Sequence, residues 1–296
     1  MGRGWLGLLL VVMVSPAAAD GSWPPDVARW IEIAVPKASR VDREVWESAA
    51  NWSPLEWRVQ GRAGQTIAEP RNGSDTALPQ QPEFMRGLAR FGRIDAFIQV
   101  KDGWLVGFER GGSDSALYWF NHDGGRHERI GAQHIGGFFA RADGIHAIEG
   151  SNAPGAHDGA VIRIARVQPG GRWQTNLLTR LPNTPQAVSV AADGTALITL
   201  SDALVAIDPQ GQLHGVLADA PWPKFYPNSS TLSADEQRLY IGMRQYVAEF
   251  DRATRRLRFL VPSRDALHRL TREEERGIRG YVKVQVVRRS LALPRS

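Results

Sequence analysis

The sequence predicts an all-β fold built from stacked four-stranded sheets, the arrangement of a β-propeller with four recognisable blades. Three observations predict it. Between Arg93 and Pro262 short apolar or alternating runs are separated by turn residues, and no long helical periodicity intervenes. Asp-Gly recurs at residues 102, 123, 143, 158 and 193, between runs rich in β-formers, and this pair favours the turn that matches strand twist. Aligning the segments around Asp102, Asp143, Asp193 and Asp235 puts the four aspartates in one register, 41, 50 and 42 residues apart. Four strands in about forty residues, repeated, leave an apolar face on each unit that only a neighbouring unit covers.

Taken from the start, residues 1–19 read as a cleavable export signal: Arg3, a ten-residue apolar run from Trp5 to Val14, then Ser15-Pro16-Ala17-Ala18-Ala19 before Asp20. Ten residues rise about 15 Å as a helix, half the hydrocarbon thickness of a bilayer. No later stretch reaches the length of a membrane span. The expectation is a periplasmic or secreted protein, cleaved near Ala19. With no cysteine in the chain, it holds together without disulfides in an oxidising compartment.

Residues 20–93 hold Trp23, Trp30, Trp46, Trp52 and Trp57 between proline-rich and polar stretches. They are expected to add a further sheet or to cover the first blade. Residues 94–263 form the four-blade core. In each repeat a second strand follows the aspartate, then a third: Ala116–Phe120, Ala160–Ile164, Leu204–Ile207 and Tyr246–Phe250. Residues 264–296 are expected to form a short helix, capped by Ser263 and stopped at Gly277, and a strand over Tyr281–Val287. A terminal strand that closes the ring on the first blade gives five blades in all, with four or six also compatible.

Charge divides unevenly. Residues 252–296 carry a net charge of +9, whereas residues 20–251 carry −5. The basic character therefore belongs to the C-terminus, as a solvated strand and helix or as a contact for nucleic acid, anionic lipid or an acidic partner.

Tyr226-Pro227-Asn228-Ser229-Ser230-Thr231-Leu232-Ser233-Ala234-Asp235-Glu236-Gln237-Arg238-Leu239-Tyr240-Ile241, followed by Val247–Asp251, resembles a blade of the gluconolactonase and strictosidine-synthase-like propellers, and WD40-like and NHL-like blades share much of it. The resemblance covers one blade well and residues 94–262 loosely. It implies that Asn228, in its Pro-Asn pair, is a ligand of a divalent metal such as calcium. The family's glutamate near the start of the first blade and its aspartate one blade after Asn228 have no counterpart in this sequence.

Candidate site residues follow from the register. The connection into each first strand and the loop between second and third strands lie on one face, so Asp95, His134 beside Gly136, Gln186 and Asn228 are expected at the mouth of the axis. The loop between second and third strands is longest after Gly150, which adds Asn152, His157 and Asp158, and the aromatic connection from Trp222 to Tyr226 lies nearby. No Gly-x-Ser-x-Gly elbow, His-Glu-x-x-His or phosphate-binding loop occurs, so catalytic residues are not assigned. The expected function is a non-enzymatic scaffold or inhibitor that binds a protein or envelope component, not nucleic acid. A metal-dependent lactonase-like hydrolase and a carbohydrate-binding module with stacking tryptophans are the alternatives.

Overall fold

Asp102, Asp143, Asp193 and Asp235 each occupy the turn between the first and second strands of a four-stranded antiparallel unit. The computed structural model describes residues 26–33, 44, 46–48, 51, 56–71, 81–110, 114–150 and 158–262. Ahead of the repeat come β1 (Ile31–Ile33), β2 (Glu56–Arg62) and β3 (Gln65–Arg71). The first blade is β4 (Arg93–Val100), β5 (Gly103–Glu109), β6 (Ser115–Phe120) and β7 (His127–Gly131). The second is β8 (Ile135–Arg141), β9 (Gly144–Glu149), β10 (Gly159–Arg166) and β11 (Trp173–Leu181). The third is β12 (Pro185–Val190), β13 (Ala196–Leu200), β14 (Leu204–Ile207) and β15 (Leu213–Leu217). The fourth is β16 (Ser229–Leu232), β17 (Arg238–Gly242), β18 (Val247–Asp251) and β19 (Leu257–Val261).

The aspartates shape their turns directly. Asp193 Oδ1 accepts the Thr195 amide at 2.8 Å, and Asp235 Oδ1 accepts the Gln237 amide at 3.1 Å. These are local turns of the kind that short carboxylate side chains make with backbone two residues on. Gly103 has φ +151, and a Cβ there would lie 1.9 Å from the Phe120 carbonyl oxygen, so only glycine fits after Asp102.

First strands follow one another in space as β4, β8, β12, β16 and then β2. This is the order of a β-propeller in which the hairpin β2–β3 stands as a fifth, two-stranded unit. Each interface has its own core. Leu105, Leu117, Ile135, Ala147 and Ile162 fill the seam between blades one and two. Phe139, Ile148, Val161, Ile198 and Ile207 fill the next. Leu197, Leu204, Trp222, Ile241 and Phe250 fill the third, joined by Trp46. Trp57, Val59 and Ala68 of the hairpin pack on Tyr240, Val247 and Leu260 of blade four, with Val27 and Trp30. Middle strands are therefore covered on both faces, and every residue of β13 and β14 is buried.

The N-terminal segment does two jobs. A 3₁₀ helix, Glu83–Phe91, lays Met85 and Leu88 on Val106, Phe108 and Phe120, the face of blade one turned away from blade two. Strand β1 extends blade four, pairing Ile31 with Val261 and Ile33 with Phe259. Blade four thus gains a fifth strand from the N-terminal side of the chain. The export signal and the C-terminal helix and strand lie outside the described residues. Among the described residues no helix is long and apolar enough to cross a membrane.

Candidate functional site

Three first strands carry a β-bulge at the same level. Pairing skips from Ile94 to Ala96, from Ile135 to Gly137 and from Pro185 to Ala187, leaving Asp95, Gly136 and Gln186 as the extra residues. In blade four, Ser229 pairs with Gly242 and the Asn228 amide donates to the Gly242 carbonyl at 2.9 Å, which puts Asn228 at the corresponding level. Bulges re-aim a side chain out of the regular alternation and are common beside functional sites. The shared register of these four positions is legible in the sequence, and the pairing reproduces it.

Neighbouring first strands are tied together below this level. Ser189 and Ser230 share a hydrogen bond, Oγ to Oγ 2.8 Å, between blades three and four. Ser229 Oγ accepts the Val59 amide at 3.0 Å, joining β16 to β2, and donates to Asn228 Oδ1 at 2.9 Å. The Asn228 Nδ2 is buried without a hydrogen-bond partner among the described residues. Asp95 and His134 meet across the first seam, Oδ2 to Nε2 3.6 Å, and Arg93 bonds both Asp95, at 2.8 Å, and Glu109. Burial opposes the Arg93 charge, but the bond to Glu109 and the charges of Asp95 and Glu109 prevail and raise its pKa above the ordinary value.

Two aromatic candidates part company. Trp222 is fully buried and its Nε1 donates to the Leu200 carbonyl at 3.0 Å, so in place of the expected binding residue it is a core residue with no face at the surface. Tyr226 remains at the surface, 49% exposed, in the left-handed region at φ +51. A bulky residue there is uncommon and held by its surroundings. Arg244 supplies the hold. Its guanidinium lies 4.3 Å from the Tyr226 ring centroid, while its Nε donates to Glu56 and its Nη1 to the Asn51 carbonyl. Asn152 and His157 lie outside the described residues, whereas Asp158 is described and exposed at the start of the third strand of blade two.

Glu149, Glu109, Ser115 and Arg244 join this end of the molecule without having been singled out from sequence. Glu149 ends β9 and its carboxyl pKa is pushed up by burial and by the charge of Asp158. A calcium ion wants six to eight oxygens, several from carboxylates. The residues around Asn228 do not fit that demand: its Oδ1 is engaged by Ser229, and among the described residues no three His, Asp or Glu side chains converge on one point. Trp30, Trp46 and Trp57 are buried, so these three form no stacking platform.

No protein-family model and no curated protein matches the chain. Among solved structures it is similar to streptogramin B lyase, at 16% identity over 58% of this chain and 55% of the other, with a TM-score of 0.40. A gluconolactonase from Xanthomonas campestris matches at 16% identity over 57% and 58%, TM-score 0.41. The β-propeller domain of Cps50 (Swd1) from Myceliophteria thermophila matches at 12% identity over 72% and 65%, TM-score 0.35. The chain spans about half of the streptogramin B lyase chain that it matches.

Proposed function

We propose that this protein is an exported, non-enzymatic propeller that binds another macromolecule, a protein or envelope component, at the end of the axis marked by Asp95, Gln186 and Asn228. The observation that carries the reading is Tyr226. An exposed aromatic ring, two residues before Asn228, is held in a costly backbone conformation and braced by an arginine that is itself anchored at two points. Rigid aromatic and arginine side chains are what interfaces use for anchors. The alternative of a metal-dependent hydrolase lacks support from the surroundings of Asn228, where the amide oxygen bonds inward to Ser229.

The test is capture of a partner from envelope extract by the mature chain, its identification, and titration of the purified pair. Tyr226→Ala should weaken binding by about tenfold or more, the effect of truncating an interface anchor. A purified partner that binds Tyr226→Ala and wild type alike would overturn the assignment of this face. Metal content measured on the same preparation, with catalytic turnover of lactones, would carry the hydrolase reading instead.

A further inference from the structure

The seam between blades one and two changes character at its upper end. Through its middle it is apolar, with Leu105, Leu117, Ile135, Ala147 and Ile162 in contact. The blades approach so closely that a Cβ on Gly107 would lie 2.7 Å from Ile135 Cβ. One pleat repeat further on, the same faces turn polar. Blade one presents the cross-strand pair Glu109 and Ser115, and blade two presents Glu149, paired with Ile135 on one side and Ala160 on the other. Asp95, Arg93 and His134 arrive from the strand starts, Arg93 directly opposite Glu109 in the ladder.

Among the described residues, Asp95, Glu109, Glu149 and Asp158 bring four carboxylates to this end, and Arg93 is shared between Asp95 and Glu109. Glu149 has no hydrogen bond or ion pair with any described residue, and its electrostatic neighbour is a second carboxylate, Asp158. An independent observation points the same way. Ser115 is 2% exposed, on the face turned to this seam, and its buried Oγ has no hydrogen-bond partner among the described residues. Buried hydroxyls are nearly always bonded, so an orphan marks a place where something is missing.

From this juxtaposition we infer that the upper end of the seam is a socket for a guanidinium, an arginine side chain presented by the polypeptide partner proposed above. The inference rests on the reading that this face binds a macromolecule. Guanidinium fits the donor and acceptor count: five N–H groups, no acceptor, and a fork that matches carboxylates. Glu149 and Asp158 accept with charge assistance, and the Ser115 hydroxyl accepts one more. A divalent ion suits the place less well, because no three His, Asp or Glu side chains converge among the described residues.

The experiment is a fluorescence-anisotropy titration of the full chain with labelled Gly-Gly-Arg-Gly-Gly, beside the same peptide with glutamine in place of arginine. The arginine peptide should bind and the glutamine peptide should bind about tenfold more weakly or not at all. Glu149→Gln should weaken the arginine peptide by about tenfold while leaving the melting temperature no lower than that of wild type. Ser115→Ala should reduce affinity by a smaller factor. Asp251→Asn, which removes an exposed carboxylate charge at the last residue of β18, serves as the control for net charge and should leave the titration unchanged. Equal binding of the two peptides, or an unchanged titration for a folded Glu149→Gln, would overturn the socket. If that happens while the identified partner still requires Tyr226, the socket fails alone; if the partner is indifferent to Tyr226 as well, the face reading fails with it.

Discussion

His146 lies directly over Asp143, Nε2 to Oδ2 3.4 Å, with its ring stacked on Phe139 at 5.3 Å between centroids. The imidazole is 0% exposed, with the Gly144 backbone and the Asp143 carboxylate as its polar neighbours. Burial lowers its pKa below the ordinary value, with Asp143 opposing and Arg141 assisting. A depressed folded-state pKa gives stability that is present in full above the unfolded value, about 6.5, and is lost as pH falls toward the folded value. The melting temperature should therefore drop between pH 7.5 and the folded-state pKa, and His146→Leu should flatten that part of the profile. A variant with the slope of wild type would show that His146 is not the titrating group.

Glu149 has the opposite sign. Burial and Asp158 raise its pKa, so its contribution is favourable below the unfolded value of about 4.3 and is lost as pH rises through the folded one. At pH 7 the ionised carboxylate is a net cost. Glu149→Gln should raise the melting temperature at pH 7, with the gain vanishing toward pH 4. Wild-type behaviour at both pH values would mean that the charge is compensated.

Arg166 is clamped between two indoles, its Cζ 5.1 Å from the Trp119 ring and 4.6 Å from the Trp173 ring, and it also bonds Asp102. It links the first turn of blade one to the third strand of blade two. Arg166→Ala should cost about 2 kcal/mol in urea denaturation, since both cation–π contacts go with the ion pair. Asp102→Ala should cost about 1 kcal/mol or less, because that carboxylate is largely solvated. Equal losses would assign the effect to the salt bridge and not to the rings.

Two glycines separate packing from backbone. Gly107→Ala forces a methyl against Ile135 in a seam with no room, and should cost about 1–3 kcal/mol. Gly215→Ala meets nothing within 4 Å, on an exposed outer strand, and should be neutral or stabilising by up to about 1 kcal/mol. Calorimetry on the pair distinguishes the two; a harmless Gly107→Ala would show that the seam yields.

The blades were legible in the sequence because their turns carry chemical signatures. Asp193-Gly194 and Asp143-Gly144 announce a hairpin locally, and counting back from the aspartate reaches Gln186 and Gly136 without any knowledge of the neighbouring blade. The polar end of the first seam was not legible. Strands such as β13 are buried on both faces, so no alternation tells which face meets which neighbour, and Glu149 or Ser115 acquires meaning only once the blades are stacked. Trp222 sits between Pro221 and Pro223 in the connection to blade four and reads as surface; the Leu200 carbonyl that accepts its indole N–H explains why it turns inward. Strand β1 was invisible for another reason: three residues are too few to show a period.

That short strand also sets a clock. Glu32 and Arg256 bond at 3.0 Å although 224 residues separate them, and Ile31 pairs with Val261. Nothing can complete the outer edge of blade four until almost the whole described chain is available, so the first described strand to be synthesised is among the last to find its place. Contacts of such long sequence separation slow folding, because loop closure precedes any gain from the contact. Until β19 has been made, β1 waits without its partner strand, and Ile31 and Ile33, which later meet Val261 and Phe259, are the residues most open to mispairing.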